Sequence, residues 1–111
     1  MPYQHDREFY RLPYPPAAAP QFRADDVHHR VVDIGEGGFR YALASGSFPA
    51  KGDTVKGVLT FPEAEEDLEV EGVVVRVRDG EIAVHCNARA IPLGLVLREQ
   101  RRLRRHYPFR E

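Results

Sequence analysis

Residues 31–41 read VVDIGEGGFRY, from Val31 to Tyr41. Two β-type runs flank a knot of three glycines, Gly35, Gly37 and Gly38, and one carboxylate, Asp33, stands at its mouth. Glycine gathered this densely lets the backbone take positive φ, or lets another group come close to it. The stretch therefore predicts two strands meeting at a tight turn. Upstream, Arg7 and Arg11 could supply a charged clamp for the same spot.

Working outward, the flanking sequence is mostly β. Phe22 in QFRAD starts a short strand and His28–Ile34 a second, with Asp25-Asp26 as the turn between them. Past the glycines, Phe39, Tyr41 and Leu43 alternate with Arg40 and Ala42, the pattern of a half-buried strand. A turn at Lys51-Gly52-Asp53 leads into a strand over Thr54–Phe61, which Pro62 stops. Leu68–Val77 is the longest strand candidate. Leu68 and Val70 share one parity and Val73, Val75 and Val77 the other, which predicts a bulge or bend at Gly72. Asp79-Gly80 is a two-residue hairpin signal, and Glu81–Cys86 returns with Ile82, Val84 and Cys86 inward. Strands this short at this spacing suggest a closed or nearly closed antiparallel barrel.

The two ends differ from this middle. Residues 1–20 hold five of the nine prolines, so they are expected to form a flexible arm, with 21–111 as barrel and helix in a single domain. After Pro92, a stripe of Leu93, Val96, Leu97, Gln100, Leu103 and Tyr107 predicts an amphipathic helix with arginines on its opposite side. That helix would plug the barrel or lie across it, and it carries enough leucine to pair with a copy of itself.

Composition narrows the function. At 111 residues the chain is sized for one modest core, and 42% hydrophobic with 30% charged residues is ordinary for a soluble protein. A net charge of −1 argues against a binder of nucleic-acid polymers. Charge is segregated, with six carboxylates from Glu63 to Glu71 and five arginines from Arg98 to Arg105. Such blocks are solvated faces or partner surfaces. The single cysteine, Cys86, excludes an internal disulfide and reads as a small core residue. No run approaches the ~18 apolar residues of a membrane span, and the N-terminus is not signal-like, so a cytoplasmic protein is expected. Adjacent histidines His28 and His29 would point to opposite strand faces, which spoils them as a metal pair. No phosphate loop or dinucleotide fingerprint is present, and the serines have no evident base. A binding module, neither an enzyme nor a metalloprotein, is the expectation.

For such a module, arginine offers a planar fork that donates in pairs to phosphate or to the acceptor edge of guanine. Asp33 could accept from a guanine's ring N–H and amine, with Gly35 and Gly38 leaving room for a base. The plainer reading makes Arg7 and Arg11 surface charges and the glycines a simple hairpin.

The order of these parts resembles the PilZ domain family. The family's R-x-x-x-R is matched by Arg7-Glu8-Phe9-Tyr10-Arg11, and its D/N-x-S-x-x-G by Asp33-Ile34-Gly35-Glu36-Gly37-Gly38. Gly52–Val58, Val70–Val77 and the final helix also look similar. The resemblance implies a six-stranded antiparallel β-barrel with a C-terminal amphipathic helix, and a bacterial receptor for cyclic di-GMP. Carried over, Arg7 and Arg11 would grip guanine edges and phosphates, Asp33 would read a guanine, and Gly35 and Gly38 would line the floor. Cyclic di-GMP would be the ligand, with no further cofactor, and output would pass through an effector protein. At Gly35 the motif has serine; the lost hydroxyl contact would weaken binding by about 0.5–1.5 kcal/mol. The alternative is a PilZ-like adaptor that binds no nucleotide and works through its acidic loop and arginine-rich helix.

Overall fold

The two-residue turns define the chain's architecture. In the computed structural model, which describes residues 11–106, Asp25 and Asp26 take φ of 50° and 64° and join β2 (Gln21–Ala24) to β3 (Val27–Gly35). Asp79 and Gly80, at 53° and 79°, join β6 (Leu68–Arg78) to β7 (Glu81–Arg89) in the same left-handed geometry. Such turns match the right-handed twist of paired strands. Glu36-Gly37 closes a third hairpin, between β3 and β4 (Gly38–Ala42), in which Gly35 pairs with Gly38.

Antiparallel pairing runs β3–β2–β5–β6–β7–β4, with β5 spanning Thr54–Thr60, and β4 returns to β3, closing a six-stranded barrel. A further short strand, β1 (Leu12–Pro13), prolongs the β2 edge of β3 by pairing with Ile34 and Asp33. The barrel interior is filled by Phe22, Val31, Ile34, Phe39, Leu59, Val70, Val74, Ile82 and Val84, each at most 3% exposed. Cys86 is buried among them, as its place in the alternation predicts.

Three features differ from the sequence reading. First, the β6–β7 register does shift between Glu71 and Gly72, where an irregularity was expected, since Glu71 pairs with Arg89 and Gly72 with Cys86, but the parity of β6 does not switch there. Val70, Gly72 and Val74 all face inward, while Val75 and Val77 are 45% and 38% exposed. The extra residue on β6 lies between Val74 and Arg76, which pair with the neighbouring Val84 and Ala83. Three consecutive valines match either parity equally well, so alternation alone cannot locate the bulge. Gly72 is needed for another reason: a Cβ there would overlap the carbonyl of His85 on β7.

Second, the prolines do not leave 12–20 loose. Tyr14 N–H donates to Val32 O at 3.0 Å, Pro16–Ala18 forms a 3-10 turn with Ala18 buried, and Val31 N–H donates to Pro20 O at 3.0 Å. The segment is laid along β3, and the remainder of the expected arm, residues 1–10, lies outside the described residues.

Third, the stripe of α1 (Leu93–His106) is rotated. Val96 and Leu103 are buried as expected, but Leu93 and Leu97 are 48% and 41% exposed, whereas Glu99 and Arg102 are buried. Tyr107 lies outside the described residues. Arg102 Nε and Nη2 donate to the Glu99 carboxylate at 3.1 and 2.9 Å, Tyr14 Oη donates to it at 2.8 Å, and Arg102 Nη2 donates to Ala18 O at 3.0 Å. A charge pair so fully hydrogen-bonded can occupy a core position that hydropathy assigns to leucine. Through it α1 is fastened across the Tyr14–Ala18 segment at one end of the barrel.

Candidate functional site

Strict alternation would put Val31 and Asp33 on the same face of β3. The pairing of β3 with β4 prevents this, because it steps from Val31–Tyr41 to Asp33–Arg40 and leaves Val32 as an extra residue. This bulge turns Asp33 to the outer face beside Arg40, while Ile34 returns to the interior opposite Phe39. Outward-facing though it is, Asp33 is only 2% exposed, because two guanidinium groups cover it. Arg11 Nη1 donates to Oδ1 at 2.7 Å, and Arg40 Nη2 and Nε donate to Oδ2 at 2.6 and 3.1 Å. Arg40 Nη1 also lies 3.5 Å from Glu81 Oε1 on β7. Both arginine side chains stay open to solvent, at 54% for Arg11 and 38% for Arg40.

Arg11 owes its place to β1. Leu12 pairs with Ile34, which sets the preceding residue alongside Gly35 at the end of β3. There a cleft of about 170 Å³ opens, lined by Arg11, Gly35, Gly37, Gly38, Val75, Val84 and His85. Its floor is low because β4 crosses close to β7: a Cβ on Gly38 would overlap the Val84 carbonyl. A second cleft, about 210 Å³, is lined by Arg40 together with Arg76 and Arg78. Guanidinium groups with free N–H donors above bare backbone can accept an anionic or carbonyl-rich planar ligand.

Of the residues singled out by motif, Arg11, Asp33, Gly35 and Gly38 are brought together, and Arg7 lies outside the described residues. Arg40, Val75 and His85 were missed. Arg40 was within reach of the sequence, since a two-residue turn at Glu36-Gly37 directly places it opposite Asp33, ahead of the bulge at Val32. Val75 and His85 depend on the β6–β7 register beyond the bulge between Val74 and Arg76, a position that three consecutive valines leave unmarked. Among the described residues, no group of three or more His, Cys, Asp or Glu could hold a metal ion, and no helix is long and apolar enough to cross a membrane.

A six-stranded barrel capped by one helix, with paired arginines over a glycine turn on its outer wall, defines a small β-barrel binding module. The PilZ domain model matches residues 5–107, and the chain belongs to the PilZ domain family. PilZ domains are binding and adaptor domains, and the family is one of cyclic di-GMP receptors. Among solved structures, the chain is similar to the Bacillus subtilis inhibitor of motility (MotI/DgrA). The TM-score is 0.65 at 21% identity, over 88% of this chain and 53% of that one. This likeness shows the fold, and the chain spans about half the length of that neighbour. No curated protein matches.

Proposed function

We propose that the chain is a cyclic di-GMP receptor that signals through a partner protein. The observation that carries this reading is the Arg11–Asp33–Arg40 cluster, whose Arg11 lines the glycine-floored cleft and whose Arg40 lines the second one. Cyclic di-GMP presents two phosphodiester anions and two guanines, each with an acceptor edge and a donor edge. Arg11 and Arg40 suit the anions and the acceptor edges. Asp33 suits the donor edge, but the arginines already make three hydrogen bonds to its two oxygens.

Ligand entry therefore requires an exchange. Arg11 leaves Asp33 Oδ1 for a phosphate or a guanine edge, and the released oxygen accepts from the guanine. Arg40 keeps Asp33 oriented throughout. Because Leu12, Pro13 and Tyr14 are paired to β3, the change of pose is confined to Arg11 and the residues before it, where Arg7 joins the clamp. The ligand must supply contacts that the Arg11–Asp33 pair lacks, or the equilibrium does not move.

A second reading is favoured by the closed Arg11–Asp33 pair itself and by Gly35 in place of the motif serine. In it the chain is an adaptor that binds no nucleotide, with the Glu63–Glu71 loop and the helix arginines as partner surfaces. Isothermal titration of the full chain with cyclic di-GMP separates the two. The receptor gives saturable binding on the order of micromolar, or −8 kcal/mol, that disappears in Arg11→Ala and Asp33→Ala. A heat-silent titration at high ligand concentration favours the adaptor.

A further inference from the structure

The end of the barrel away from α1 is open. There a cavity of about 430 Å³ enters the interior between Phe22, Val27, His29, Tyr41, Leu43 and Val55, with Asp25 and Lys56 also on its lining. Its volume falls in the range of about 300–1,000 Å³ typical of small-molecule sites. From His29 to Gly35 is roughly 20 Å along β3 at ~3.3 Å per residue, so this cavity is separate from the Arg11 cleft.

Two polar atoms on its wall lack partners among the described residues. Ala44 N–H donates to His29 Nδ1 at 3.0 Å, which puts the ring proton on Nε2 and leaves that N–H without an acceptor. The Tyr41 hydroxyl also makes no hydrogen bond. The two residues are 5% and 3% exposed, yet no fully buried side-chain nitrogen or oxygen among the described residues lacks a partner. The Nε2–H and the hydroxyl are therefore accessible, and both residues line the cavity. The two rings lie 5.0 Å apart, and Phe22 stands 4.9 Å from Tyr41, so the donors emerge from an aromatic wall.

The geometry points to a second binding site, for a small flat aromatic molecule bearing an uncharged carbonyl. A carbonyl oxygen has two lone pairs, enough to accept from His29 Nε2–H and Tyr41 Oη–H together. A flat ring suits the tilted aromatic cluster. The preference for a neutral group follows from the walls: burial pushes the His29 imidazole down, assisted by neighbouring His28, and pushes the Tyr41 phenol up, so both stay uncharged. The lining carries one cation, Lys56, and one anion, Asp25, so it has no net charge.

The test is an amide-detected NMR titration of the full chain with benzamide, and separately with toluene and benzoate. Benzamide should give saturable shifts at Phe22, His29, Tyr41, Leu43 and Val55, and it should bind more tightly than either comparison molecule. Tyr41→Phe removes a hydroxyl that bonds to nothing among the described residues, so the fold is kept and benzamide affinity should fall about 2- to 12-fold. His29→Asn, whose Oδ1 can still accept from Ala44 N–H, should cost a similar factor. No saturable shift at these residues, or unchanged affinity in Tyr41→Phe, overturns the site. Benzoate binding as tightly as benzamide overturns the assignment of a neutral carbonyl.

Discussion

Tyr14 and Glu99 stand 85 positions apart in sequence, and the Tyr14 hydroxyl donates to Glu99 Oε1 at 2.8 Å inside the protein. This bond ties the segment following Arg11 to the helix at the other end of the chain. Removing the hydroxyl in Tyr14→Phe leaves Glu99 with Arg102 alone and should cost about 1–3 kcal/mol. Glu99→Gln, which strands the buried Arg102, should cost about 3–5 kcal/mol. Urea unfolding of both single variants and the double variant should show a coupling above about 0.5 kcal/mol. Additive losses would mean that the bond is not a structural link.

Arg40 holds Asp33 through two donors, so it matters to both fold and ligand. In Arg40→Leu the carboxylate keeps only Arg11, and since Arg40 is partly exposed the cost should be modest, about 1–2 kcal/mol. Cyclic di-GMP affinity should fall about tenfold, equivalent to ~1.4 kcal/mol. Arg40→Lys retains charge but not the fork and should recover only part of either loss. Calorimetry that finds Arg40→Leu as tight as the parent would remove Arg40 from the site.

The glycines of the turn predict opposite outcomes. Gly35→Ser restores the motif hydroxyl and should tighten cyclic di-GMP binding several-fold, by about 0.5–1.5 kcal/mol. Weaker binding would show that the turn has been misread. Gly38→Ala drives a Cβ into the Val84 carbonyl and should destabilise by about 1–3 kcal/mol, the usual cost of overpacking. Gly94→Ala, with no heavy atom within 4 Å of the new carbon, should be neutral or slightly stabilising in the same melts.

Stability should fall on both sides of neutrality. Burial lowers the His29 pKa below its ordinary 6.5, so the unfolded chain takes up a proton first as the pH drops. The contribution of neutral His29 is complete above about pH 6.5 and is lost as the pH falls toward its folded-state pKa. At alkaline pH the sign reverses. Burial pushes the Cys86 thiol from 9.0 up to about 11, so the unfolded chain loses its proton first and stability declines across that interval. Thermal midpoints at pH 5.5 and 7.5 should differ less in His29→Asn than in the parent. An unchanged difference would assign the acid loss to other groups.

The parts of the fold legible in the sequence were those with a local cause. Asp25-Asp26 and Asp79-Gly80 accept left-handed backbone and occur where expected, and the alternation of Ile82, Val84 and Cys86 has the predicted phase. Of the motif residues, Arg11, Asp33, Gly35 and Gly38 lie at one place on the barrel, and Arg7 is outside the described residues. The misread elements were those in which two local patterns are equivalent. Three valines at 73–75 fit either face, and Glu99 and Arg102 resemble solvated helix charges until Tyr14 and Ala18 meet them.

By itself, then, the sequence determined the hairpins, the terminal helix and the family motifs, because turn chemistry and side-chain period act over a few residues, while the count of six strands came from the family resemblance. Closure decided the rest. The β3–β4 hairpin sets Asp33 beside Arg40 locally, but only the pairing of β1 with β3 brings Arg11 to it. Only packing of α1 over Tyr14–Ala18 makes a buried place for a charge pair, and only the completed barrel has an open end where His29 and Tyr41 face the same space. Each of these depends on residues distant in sequence, whose mutual approach no local periodicity encodes.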